Sequence, residues 1–189
     1  KPKRKVNLQP WKKITNTVLN AKDLINIAII GKYVNLKDAY KSLDEALIHG
    51  GIFNKVKVNL IRIESDHLKS NEIKKRLKNI SGLLIPGGFG KRGTEGKISA
   101  IKFARENKIP FLGICFGMQM AIVEFARNRL KIKKAGSTEL ERKCYPVIGL
   151  ISEWDKDGKI IKGTNKDLGG TMRLGLYEAK LRNNSAINS

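Results

Sequence analysis

Cys115 stands in Gly113-Ile114-Cys115-Phe116-Gly117, a G-x-C-x-G pattern between an apolar run and a helical one. A nucleophile on a sharp strand-to-helix turn needs small neighbours, because its strained backbone is crowded against both elements. Such a turn lifts the sulfur clear of the sheet and sets it at a helix N-terminus, where the dipole favours thiolate. The N–H of Phe116 then faces a reacting carbonyl as an oxyanion donor. A lone cysteine packed as a small hydrophobe fits the same spacing, and spacing alone does not separate the two readings. Pro86-Gly87-Gly88-Phe89-Gly90 shifts the balance. Its glycines allow close backbone approach beside Cys115, and Gly87 or Gly88 can give the second oxyanion donor. A plain Gly-rich turn is the alternative there. A phosphate-binding loop ending in Gly96-Lys97 fails on spacing, because Lys91 stands where glycine is required and Ile98 replaces Ser or Thr.

These two loops must be positioned by strands. Residues 25–31 (INIAIIG) form a β-branched run of strand length, and 38–49 has helical spacing closed by Gly50-Gly51. Residues 56–63 alternate as a strand, and Ser70 can cap a helix through Asn79. Residues 82–85 (GLLI) and 109–114 (IPFLGI) read as buried strands, and 94–107 and 117–129 as helices. Strands separated by helical stretches predict an α/β fold with a mostly parallel sheet and helices on both faces, flavodoxin-like in class. Ligands bind such sheets outside the carboxyl ends of the strands, where both glycine loops fall. Further on, 146–151 reads as a short strand, 155–166 as a hairpin around Asp157-Gly158, and 168–181 as a strand opened by a glycine pair. Residues 11–20 suggest a short helix with Trp11 tucked onto the body.

The chain has 189 residues, enough for one domain that buries about 70% of its unfolded surface. With 41% hydrophobic and 29% charged residues it is too apolar for a disordered chain. Two cysteines make no disulfide framework, residues 1–5 lead into no signal-peptide core, and no apolar run reaches spanning length. A soluble, cytoplasmic chain with no membrane partner is expected. The net charge of +21 is spread along the sequence beside Ile and Asn, without a nucleic-acid-binding motif. Solvated helix faces account for it, with attraction of an anionic ligand or partner domain as the second reading and no nucleic-acid partner expected.

The motifs carry a resemblance. Gly31-Lys32-Tyr33-Val34 with Asp38-Ala39-Tyr40-Lys41-Ser42, the loop from Pro86 to Gly93, Pro110 through Gln119, Ser137-Thr138-Glu139, Ile151-Ser152-Glu153-Trp154 and Gly169-Gly170-Thr171-Met172-Arg173-Leu174-Gly175 together resemble the glutaminase half of the CTP synthases. The likeness runs from Trp11 to the end. The cysteine elbow alone would indicate any class I glutamine amidotransferase, whereas GKYV, GGFGKRG and GGTMRLG together narrow it to CTP synthases.

The resemblance implies that Cys115 is the nucleophile forming a glutamyl thioester from L-glutamine. It implies that Gly87, Gly88, Phe116, Gly117, Met118 and Gln119 line the oxyanion hole and contact substrate. Glu139 would hold the glutamine's ammonium, as a carboxylate can, and Phe89 would be the ring on which the family's GTP activator stacks. Ammonia would pass to a synthetase domain that converts UTP to CTP with ATP and Mg; no metal or cofactor is implied for this domain. Residues 1–22 would be the linker from that upstream domain and 23–189 an amidotransferase domain incomplete at its C-terminus. The parent enzyme would be a homo-oligomer, a tetramer in the family.

One departure bears on chemistry. A free thiol is only a few per cent thiolate at neutral pH and needs a base. The family places that base in a His-Pro-Glu motif near the C-terminus, after an Arg-rich segment. The two histidines here, His49 and His67, do not begin a His-x-Glu motif. The base is therefore expected beyond Ser189, and the 189-residue chain alone is expected to be inactive. A non-catalytic amidotransferase-like binding module is the alternative from another class. A peptidase or γ-glutamyl hydrolase on the same elbow is disfavoured by GGTMRLG and GGFGKRG.

Overall fold

The computed structural model describes residues 6–36, 38–69, 71–149, 153–156, 159–162 and 178–185. It divides into two units, Lys1–Gly149 and Leu150–Ser189. The first begins with α1 (Gln9–Asn20), continues through β1 (Leu24–Gly31), α2 (Lys41–Phe53) and β2 (Lys57–Glu64), and makes a 3-10 turn at Ser65–His67. A four-residue α3 (Ile73–Arg76) leads to β3 (Gly82–Ile85), α4 (Thr94–Glu106), β4 (Phe111–Gly113) and α5 (Phe116–Asn128). Two short strands, β5 (Ala135–Ser137) and β6 (Tyr145–Ile148), close it as a separate parallel pair.

Four strands form one sheet in the order β2-β1-β3-β4, every pair parallel. Parallel pairing demands crossovers, and helices or turns supply each of them. Side-chain alternation then assigns the faces. Ala28, Ile30, Ile63, Leu83 and Ile85 share one face and pack with Ile98, Ile101, Phe116, Met120 and Val123 of α4 and α5. The opposite face meets α2: Gly51 lies against Val58, and Asp44 pairs with Arg62 of β2. β3 is buried along its whole length, as a central strand must be when helices cover both faces. α4 and α5 are joined by Arg105, whose guanidinium grips Glu124 with both Nε and Nη2 at 2.7–3.2 Å.

Several elements differ from their sequence reading. α2 runs through Gly50-Gly51 to Phe53 instead of ending there. A methyl group on Gly51 would stand 2.5 Å from Val58 Cγ2, so this glycine serves helix-to-strand contact and not a cap. The helix expected through Asn79 shrinks to Ile73–Arg76, and Ser70 lies outside the described residues. β4 is three residues long and sits at the edge of the described sheet, with Leu112 exposed. Trp11 is 68% exposed, and α1 buries none of its residues. β5 was not anticipated.

In the second unit, β7 (Glu153–Lys156) and β8 (Lys159–Lys162) form the expected antiparallel hairpin, pairing Glu153 with Lys162. Its turn at 157–158 and most of the strand expected over 168–181 lie outside the described residues; 178–181 are described and are not strand. No helix among the described residues is long and apolar enough to cross a membrane.

Candidate active site

In a sheet ordered β2-β1-β3-β4, the chain leaves β1 and β3 in opposite directions, which opens a crevice at their carboxyl ends. The loop after β3 starts at Pro86, and the turn after β4 carries Cys115. That turn is sharp. Cys115 has φ 52° and ψ −107°, a conformation that costs a non-glycine residue of the order of 1–3 kcal/mol. It is the N-cap of α5 and its side chain is exposed.

The turn is held from both sides. Ile114 N–H donates to Ile85 O at 2.9 Å, and Gly117 N–H to Ile114 O at 2.9 Å. A methyl group on Gly113 would stand 2.6 Å from the Gly117 carbonyl carbon, and one on Gly117 2.1 Å from Ile85 O. Larger residues at either position would push α5 off β3 and straighten the turn. The N–H of Phe116 is one of the first four helical amides, which have no intrahelical acceptor. Phe116 buries its ring in the core, Met118 is exposed, and Gln119 has a buried Oε1 without a hydrogen-bond partner.

Gly87 approaches closest from the other loop: a methyl group on it would stand 3.6 Å from the Cβ of Cys115. Gly88 has open space around it, and Gly90 takes φ +76°. Gly90 N–H donates to Oε1 of Glu139 at 3.2 Å, which ties Glu139 to the same loop. Phe89 projects with 61% of its surface exposed. The structure thus gathers Cys115, Gly87, Phe116 and Gly117 at one spot, and Phe89, Gly90 and Glu139 along the loop that borders it.

Other candidates lie elsewhere. Cys144 is half-buried against Gly136, with no helix N-terminus behind it. His49 is exposed near the end of α2, beside the start of β2, and so at the opposite end of the sheet from Cys115. The side chain of His67 lies outside the described ones. Among the described residues no three His, Cys, Asp or Glu side chains come together as metal ligands would.

Two lysines at the site carry no role in the sequence reading. Lys32, immediately after β1, donates from Nζ to Phe89 O at 2.5 Å and to Gly90 O at 2.9 Å. Burial holds its pKa below the usual lysine value, and the charge of Arg92 adds to that effect. Lys97 of α4 lies with its Nζ 4.9 Å from the centre of the Phe116 ring. Burial first, then the charge of Lys32, pushes it down to about 8. A polar residue directly after the apolar stretch Ala28-Ile29-Ile30-Gly31 is a readable signal for Lys32. Lys97 falls on the buried stripe of α4 with Thr94, Ile98 and Ile101, so its position was legible although its residue type argued against burial.

The fold and the cysteine turn define a class, and comparison with known proteins agrees with it. Residues 35–188 match the family described as glutamine amidotransferase class-I, and the chain belongs to that family. Among its relatives are CTP synthases: that of Pelagibacter ubique (strain HTCC1062) is 72% identical over 188 residues, covering 100% of this chain and 35% of that protein. The CTP synthase of Brucella melitensis biotype 1 is 51% identical over 187 residues, covering 98% of this chain and 34% of the relative. A solved structure of the Trypanosoma brucei CTPS glutaminase domain with bound acivicin superposes with a TM-score of 0.60 at 34% identity, covering 65% of this chain and 48% of that one. The chain spans about a third of the length of the curated relatives it matches.

Proposed function

We propose that this chain is the glutamine-hydrolysing part of a CTP synthase. The Cys115 thiolate adds to the side-chain amide carbon of L-glutamine, forming a C–S bond and pushing the carbonyl electrons onto oxygen. The N–H of Phe116 and an N–H of the Gly87-Gly88 segment receive that oxyanion. Collapse breaks the C–N bond, ammonia leaves with an added proton, and water then hydrolyses the thioester to glutamate and free Cys115. Glu139 takes the substrate's ammonium, and Gly117, Met118 and Gln119 line the rest of the pocket. The proton acceptor for Cys115 is neither His49 nor His67, since neither begins a His-x-Glu motif.

Ammonia passes to a synthetase domain, which aminates UTP using ATP and Mg. The chemistry at Cys115 needs neither. Phe89, whose exposed ring stands on the bordering loop, receives the GTP activator. The parent protein is a cytoplasmic homo-oligomer.

The observation that carries this reading is the strained Cys115 turn with Gly87 beside it. The test is glutamate release from L-glutamine by the full-length protein and by its Cys115→Ala variant. Release that depends on Cys115 is expected. Undiminished release by the variant overturns the reading, and no release by either points to the binding-module alternative.

A further inference from the structure

Lys32 and Lys97 are the most unusual side chains of the fold, because both are long cations removed from water. Lys32 is 6% exposed and Lys97 1%. Desolvating an ammonium is costly, and an apolar side chain of similar length would fill the space without that cost. Lys32 recovers part of it through two carbonyls, Phe89 O and Gly90 O, both on the loop after β3. The same ammonium lies 5.9 Å from the centre of the Phe116 ring, within cation–π reach, and Lys97 approaches that ring from α4 at 4.9 Å. Phe116 is the first residue of α5, directly after Cys115.

One side chain therefore touches both segments that must act together on a carbonyl. The loop after β3 carries the Gly87 and Gly88 amides, and the turn after β4 carries the Phe116 amide. Each segment is anchored to its own strand, and Lys32 comes from a third, β1, at the crevice between β1 and β3. Fixing the carbonyls of Phe89 and Gly90 restrains the peptide units before them. An oxyanion donor displaced by about 1 Å loses much of its effect.

We propose that Lys32 is a positioning residue for the oxyanion site, its ammonium holding the glycine loop in register with the Phe116 amide. This rests on the reading of Cys115 as a nucleophile toward an amide carbonyl. Lys97 backs the Phe116 ring from the helix side. Lys32 touches no substrate in this arrangement; it acts through the loop.

The test uses the full-length protein with Lys32→Met and Lys32→Gln. Two rates are compared: glutamate release from L-glutamine, resolved into kcat and KM, and alkylation of Cys115 by iodoacetamide. Alkylation displaces iodide at a tetrahedral carbon and develops no oxyanion, so it reads the supply of thiolate alone. Lys32→Met is expected to lower kcat by roughly 10- to 100-fold, with KM and the alkylation rate changed by no more than about two-fold. Lys32→Gln keeps a donor for one carbonyl and should recover part of the loss. An equal fall in alkylation, a rise in KM at constant kcat, or an unchanged kcat would overturn the proposal. If circular dichroism shows that Lys32→Met does not fold, Lys32→Gln decides alone: reduced kcat at constant alkylation supports the proposal, and unchanged kcat rejects it. Failure of the underlying reading is separate, because it is read from Cys115→Ala.

Discussion

Replacing Lys97 by methionine is expected to stabilise the chain at neutral pH and to lose that advantage as pH rises. The Lys97 side chain is 1% exposed, and burial is the first cause pushing its pKa from 10.5 to about 8. Burial penalises only the charged form. Below about pH 8 the folded and unfolded chains both carry the proton, and the folded one bears the whole penalty. Between about 8 and 10.5 the folded chain releases the proton while the unfolded chain keeps it, so stability climbs with pH. Above 10.5 neither state is charged and the penalty is gone. At about 1.4 kcal/mol for each tenfold change in proton affinity, the penalty at pH 7 is about 3 kcal/mol. The ammonium's contact with the Phe116 ring offsets about 1–2 kcal/mol of it, so the variant should gain about 1–2 kcal/mol at pH 7. Methionine has nearly the same reach and does not titrate. Urea unfolding of wild type and Lys97→Met at intervals from pH 7 to 10 measures the difference, provided the slopes against urea agree. The other lysines titrate in both proteins and cancel, apart from Lys32, which loses a repelling neighbour in the variant. A stability difference that stays constant from pH 7 to 10 would refute the reasoning, because it would mean that Lys97 is not a desolvated cation.

Iodoacetamide under limiting conditions should modify Cys115 before Cys144, since Cys115 is exposed at the N-terminus of α5 and Cys144 is half-buried; peptide mass spectrometry reads the order, and the reverse order would count against the turn's role. Gly117→Ala should cost about 3 kcal/mol or more in urea unfolding and slow alkylation of Cys115, because the added methyl meets the Ile85 carbonyl oxygen and backbone cannot step aside as a side chain can. Binding to duplex DNA should be weak and fall steeply between about 50 and 200 mM salt, as phosphate neutralisation by dispersed lysines does. A sequence preference that survives at the higher salt in a competition assay would contradict this.

The parts of the fold that were legible in the sequence are those where one physical signal acts alone. β1 and β3 are apolar runs, β1 broken only by Asn26, that end in glycine or proline, and their boundaries agree with the reading to within a residue or two. The cysteine turn was legible because tight strand-to-helix geometry excludes a side chain at both Gly113 and Gly117. Where tertiary contact competes with local signal, the local signal misleads. Gly50-Gly51 looks like a helix stop, yet Val58 on the neighbouring strand needs the space that Gly51 leaves. The run 109–114 is apolar enough for a central strand, but apolarity does not say which strand lies beside it, and β4 is an edge of the described sheet. Trp11 illustrates the one-way nature of hydrophobicity: large apolar residues favour burial, but one short amphipathic helix offers Trp11 no core to enter. β5 is Ala-Gly-Ser, which carries almost no strand propensity and pairs because β6 lies beside it.

The costly features of the molecule gather at one edge. Cys115 sits in a strained conformation, Gln119 keeps a buried acceptor unpaired, and two ammonium groups are withdrawn from water around Phe116, all beyond the carboxyl ends of β1, β3 and β4. A few residues toward the amino ends of the same strands, the packing is apolar: Ala28, Ile29, Leu83 and Leu84 are 2% exposed or less. Packing of that kind over-determines the backbone, and only an over-determined backbone can hold a non-glycine residue at φ 52°. Stability from the sheet is thus spent a few ångströms away, where relaxation would reseat Cys115 in an ordinary helical start and let the glycine loop drift. A sequence under selection for stability alone would place methionine or leucine at Lys32 and Lys97 and a small residue at Cys115. On the proposed function, Lys32, Lys97 and Cys115 offset that loss by serving an edge that acts on a carbonyl.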